Sequence, residues 1–278
     1  MPLLTVAQFT LREAVRRRLL LAVAVLTLVI MGLTGWLFMQ FRTPWQDRYG
    51  QPINHAMQVG TEALVVIMIS FMFSMALAVG AAFLAAPAIA GDVENGVVLA
   101  MLPRPMRRAD LVLGKWLGLG TLLTTYVLII GGLEFALIDV ITGYLPPQPL
   151  EALLCLAGQS IVVLSLALLG STRLPPIVSG VVAIVLVGIA WIAGIITVIP
   201  LDNKAVTTAS TVVSLLLPTD GLWRGALHGL TPAVITAVGN LGPFAVTGAP
   251  TTPFLIWAAA WVAVVMALAV RSFAGRDL

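Results

Sequence analysis

The sequence predicts an all-α integral membrane protein with six transmembrane helices and both termini cytoplasmic. A short cytoplasmic helix is predicted between spans two and three, and short outer helices between spans five and six. Three observations predict this. Of 278 residues, 60% are apolar and only 10% charged, too few charges to wet the surface of a soluble domain of this size. The gaps between charged residues leave six apolar runs of the roughly 17–25 residues needed to cross about 30 Å of hydrocarbon. The basic residues then divide unequally between the two sides of the bilayer.

The first run, residues 19–41, follows Arg16, Arg17 and Arg18. A secretory signal has a similar basic start, but its apolar stretch is only about 7–15 residues and ends in a small-residue cleavage site. The other runs are 63–91, 116–133, 152–172, 174–201 and, after Pro250 and Pro253, 254–270. Hydrocarbon offers the backbone no water partners, so each run is predicted as a helix. With the N-terminus inside, 11 of the 15 Lys and Arg residues lie on the cytoplasmic side and 4 (Arg42, Arg48, Lys204, Arg224) outside. A seventh crossing within 205–253 would rest on segments cut short by prolines, and it would move Arg271 and Arg276 outside.

Residues 1–18 place Val6, Phe9 and Val15 among Arg12, Glu13, Arg16 and Arg17. This predicts a helix on the inner membrane surface with its arginines near anionic headgroups. The alternative is a solvated leader whose arginines only set topology. In the loop 91–110, Asp92 and Glu94 follow the end of a span and Gly96 permits a turn. Pro103 and Pro105 break the chain before Ala109. A short helix over 97–102, flanked by Glu94, Arg104, Arg107 and Arg108, forms a polar knob suited to docking another protein. The alternative is a tight solvated hairpin.

The outer segment 201–253 is nearly as apolar as the spans. Its helical stretches, 205–217 and 222–230, are too short to cross and are predicted to be re-entrant or interfacial, with Trp223, Arg224 and His228 at headgroup depth. An amphipathic packing lid is the alternative. Glu134, Trp223 and Arg224 are the candidate pathway residues. Glu134 is the deepest acidic group by its place in the runs, although it follows enough uncharged residues to reach the outer interface.

Several function classes are excluded or disfavoured. The net charge of +3 is accounted for by topology, so no nucleic-acid partner is expected. Cys155 stands alone, and His55 and His228 cannot build a metal cluster, so no metal is expected. Gly114 and Lys115 lack the remaining residues of a phosphate-binding loop, so the chain is not expected to hydrolyse ATP itself. An integral-membrane enzyme is disfavoured by the lack of a Gly-x-Ser-Gly or His-Glu-x-x-His motif. An ATP-independent carrier or channel is disfavoured by the lack of repeated halves and of several intramembrane charges.

Three stretches carry a resemblance: Glu94-Asn-Gly96; Leu102-Pro-Arg104-Pro105-Met-Arg-Arg108; and Leu113-Gly114-Lys115. They resemble the ATP-binding-cassette (ABC) type-2 permeases, which typically read Glu-x-Gly-Thr, Leu-Leu-Ser-Arg-Pro-Val-Ser-Arg and Leu-Gly-Lys. Val97 stands where the family has Thr, and Arg107 where it has a small hydroxyl residue. The resemblance implies a single permease domain over 1–278 in the bacterial cell membrane, part of an ATP-driven exporter. It implies partners: cytoplasmic ATPase subunits that bind ATP and Mg, a second permease chain in a homodimer or heterodimer, and membrane lipids. The chain itself would bind no cofactor. The loop becomes a coupling helix, with Glu94, Gly96, Leu99, Leu102, Arg104, Pro105, Arg108 and Lys115 as coupling residues. The stretch 217–224 is similar to bacterial multidrug, lipid or copper-maturation subunits.

Overall fold

The computed structural model describes residues 2–16, 18–40, 55–94, 107–199, 203–238, 242–245 and 248–275. The amphipathic segment is helix α1 (Pro2–Arg16), followed by α2 (Arg18–Met39) over the first predicted span. Then come α3 (His55–Glu94), α4 (Arg108–Thr142), α5 (Pro149–Ser171) and α6 (Pro176–Val198). The shorter α7 (Lys204–Leu216), α8 (Thr219–Leu230) and α9 (Ala233–Val238) precede a 3-10 turn, Gly242–Phe244, and the final α10 (Thr252–Ala274). No strand occurs among the described residues. Helices α3, α4, α5, α6 and α10 are each long and apolar enough to cross a membrane, and α2 adds a shorter apolar stretch, Thr27–Met39.

α3 and α4 run well past the predicted spans, to 40 and 35 residues. Gaps between charges mark only the apolar part of a helix, whereas its backbone ladder continues through polar residues. Glu134 and Asp139 therefore lie inside α4, not beyond its end.

α5 is the most enclosed of the long helices and packs against α3, α4, α6, α8 and α10. Its sequence explains this: it is apolar on all sides, and Ala152, Ala157, Gly158, Ser160 and Ala167 let neighbours approach closely. Around it lie two cores. One, at the end where α3 finishes and α4 begins (the loop end), joins Ala85, Ile89, Val112, Leu164, Leu168 and Phe273. The other, at the opposite end, joins Ile67, Val127, Leu156, Trp223, Leu227 and Leu230.

One face of α1 packs against α4. Val6, Ala7 and Thr10 are buried, and a Cβ on Gly114 or Gly118 of α4 would meet Val6 Cβ at 2.7 Å or the Ala7 carbonyl at 2.8 Å. Only glycine permits this approach. Leu4 and Phe9 remain exposed on the other face, beside exposed Arg12 and Glu13.

α7 and α8 form a hairpin in which α8 is buried against α5 while α7, beside α6, stays largely exposed. The Trp257 and Trp261 indoles of α10 donate to the Leu215 and Leu216 carbonyls at the end of α7, at 3.0 and 2.8 Å. From that tip α8 runs back along α5: Gly225 faces Cys155, and Gly229 faces the Gln148 carbonyl and Ala152. Leu222, nearer the tip, lies against Gly158. Trp261 and Gly158 are each nine residues inside their helices, so the tip sits about 14 Å below their starts at 1.5 Å per residue.

Candidate functional site

At the loop end, Pro87 sits inside α3. Proline has no N–H and crowds the preceding turn, so it frees backbone groups that membrane helices must satisfy otherwise. Ser171, the last residue of α5, binds the turn that runs on from Pro87. Its hydroxyl donates to the Ala86 carbonyl at 2.7 Å and accepts from the Ile89 and Ala90 N–H groups at 3.2 and 3.0 Å. Lys115 of α4 reaches the same turn, donating to the Ala88 carbonyl and to the Asp92 carboxylate. The last two turns of α3, which lead directly into the loop, are thus held from two sides by buried Ser171 and Lys115.

The other helix ends at this face are also tied. Arg108 donates to the Phe273 and Ala274 carbonyls at 3.3 and 2.8 Å. Arg173 donates to the Ser272 hydroxyl and carbonyl, while Thr172 and Ser272 share a 2.8 Å hydroxyl contact. Two cations therefore meet the carbonyl end of α10, where the helix dipole is negative. Of the candidate coupling residues, Glu94 is the exposed last residue of α3. Arg108 and Lys115 are engaged within the bundle. Gly96, Leu99, Leu102, Arg104 and Pro105, with the whole predicted 97–102 helix, lie outside the described residues, as does Arg17. Arg16 belongs to α1.

At the opposite end the candidate pathway residues are separated. Glu134 is buried, hydrogen-bonded to Thr34 of α2, and lines a cavity of about 30 Å³ with Ser70 and Gly131. Trp223 is fully enclosed, its ring 5.5 Å from that of Phe71, so it is a core residue and not an exposed interfacial ring. Arg224 donates to Asp220 at 2.7 Å and to the Ala245 carbonyl at 3.3 Å. Asp220 packs against Gly194 of α6, and burial raises its carboxyl above the usual range despite the arginine. His228 faces Glu151 at 3.1 Å. Around the hairpin tip, the buried Ser214 and Thr219 hydroxyls, Asp220 Oδ1 and Trp223 Nε1 have no hydrogen-bond partner.

Sequence reasoning missed Ser171, Glu62 and Asp220. Glu62 and Asp220, at 3% and 4% exposed, are more enclosed than Glu134 at 9%. The Leu113-Gly114-Lys115 motif finds a local reason: Leu113 packs on the core, Gly114 admits α1, and Lys115 holds α3. No match is found among curated proteins. The family profile described as ABC-2 family transporter protein matches residues 4–278.

Proposed function

Because the chain belongs to the ABC-2 family of transporter membrane proteins, we propose that it is the permease subunit of an ATP-driven exporter. In this reading it has six spans with both termini cytoplasmic, and it works with separate ATPase subunits and a second permease chain. The coupling loop 91–110, with its expected short helix 97–102, meets the ATPase, and movement of the loop changes the path between the permease chains. The observation that best supports the reading is the doubly held end of α3. A loop that only turned the chain around would not need its root fixed to both α4 and α5. A load-bearing connection does, since force on the loop then reaches α4 through Lys115 and α5 through Ser171. The apolar face of α6 through Val178, Val182, Val185 and Ile189 is exposed, leaving room for a second chain beside it.

The test is co-purification of the partner ATPase with Leu99→Asp and Lys115→Met variants. Leu99→Asp places a charge in the middle of the contact and should abolish ATPase association. Lys115→Met should retain the ATPase but lower transport per ATP hydrolysed. If Leu99→Asp keeps a full complement of ATPase and normal transport, the loop is not the docking element.

A further inference from the structure

An apolar groove of about 790 Å³ lies between α5 and α10, lined also by Trp116 of α4 and by Leu222 of α8, which packs against Gly158 midway along it. Trp116 is fixed there by a 2.8 Å bond from its indole to the Ser165 hydroxyl. Along α5 the groove extends from Leu150 to Val162. That is about 18 Å at 1.5 Å per residue, slightly more than the roughly 15 Å half-thickness of a bilayer's hydrocarbon. Its opposite wall is α10 through Leu255, Ala259 and Val262, and small Ala259 leaves the entrance wide.

Among the described lining residues only Glu151 carries a charge. It sits in the first turn of α5, at the end where a lipid headgroup would lie. Among the described residues its side chain meets the His228 imidazole at 3.1 Å, and both groups stay partly exposed at the mouth of the groove. Arg224, the nearest cation on α8, is already paired with Asp220. The groove therefore combines one leaflet's length of apolar wall with an anionic mouth.

We propose that this groove binds one acyl chain of a membrane lipid bearing a primary-amine headgroup, the ammonium pairing with Glu151. The site holds independently of which ATPase the chain works with. It selects headgroup by charge at Glu151 and takes up the tail by apolar contact alone.

The full-length protein in lipid nanodiscs tests this with two photoreactive lipids identical in their diazirine-bearing tail, one with a phosphoethanolamine head and one with a phosphoglycerol head. The amine lipid should label peptides from α5 and α10 about fivefold more than the phosphoglycerol lipid, the gain expected of one partly exposed charge pair. Glu151→Lys should reverse that preference, a gain for the phosphoglycerol lipid that misfolding cannot imitate. Ala259→Trp, at an exposed position, should suppress labelling by both. Equal labelling by the two lipids, or labelling indifferent to Ala259→Trp, overturns the proposal. Efficient disulfide formation between copies at Ala259→Cys, in a Cys155→Ala background, would put a second chain in the groove and overturn it equally.

Discussion

Lys115 loses water on entering the bundle, and a buried ammonium is tolerated only when its donors are satisfied. The Ala88 carbonyl and Asp92 supply them. The exchange is local and explains why a lysine sits in an otherwise apolar stretch. Asp220 and Arg224 make the same exchange one turn apart on α8. Tyr144, just beyond α4, is different because it stays neutral. Burial, assisted by the nearby Glu62 charge, pushes its phenol from the usual 10 up to about 12. A pKa raised on folding gives stability that is complete below the unfolded value and is lost as pH rises through the folded one. Stability should thus decline between about pH 10 and 12, by up to about 3 kcal/mol at 1.36 kcal/mol per unit. Thermal unfolding in detergent across that range should show a smaller alkaline loss in Tyr144→Phe than in the wild type, and the reverse order would contradict the assignment.

Among the elements, α1 depends most on a single pair of residues. Gly114 and Gly118 make the bed in which Val6, Ala7 and Thr10 lie. Gly118→Leu drives a side chain into the Ala7 backbone, which cannot move aside as a rotamer can, at a cost of about 1–3 kcal/mol. Limited proteolysis within residues 2–16 should become several-fold faster in that variant while the long helices stay resistant. The six apolar runs were legible in the sequence, because each depends only on neighbours along one stretch of chain. The extra turns of α3 and α4 were not, since charges mark the end of apolarity and not of the backbone ladder. The union of Ser171 with Pro87's turn was not legible either. It joins residues more than eighty positions apart, and no local pattern encodes which hydroxyl meets which broken turn. The short helix at 97–102 lies outside the described residues, so that element of the site rests on sequence alone.

For the molecule as a whole, the proposed arrangement of six spans with cytoplasmic termini predicts Glu94 and Lys204 on opposite sides. Both residues are exposed, so single cysteines at these positions, in a Cys155→Ala background, should react with an impermeant maleimide from opposite faces of sealed vesicles. Labelling of both from one face would remove the six-span arrangement. The α7–α8 hairpin also has a consequence for biosynthesis. α7 and α8, at 13 and 12 residues, are below the roughly 17 residues that an insertion machinery accepts as a span. Their walls on α5 and α6 already exist when the ribosome delivers them, but the α10 indoles that take the Leu215 and Leu216 carbonyls at the tip do not. The tip is therefore fastened last, after the final helix is inserted, and a nascent chain halted before residue 252 would leave the Leu215 and Leu216 carbonyls without their two indoles.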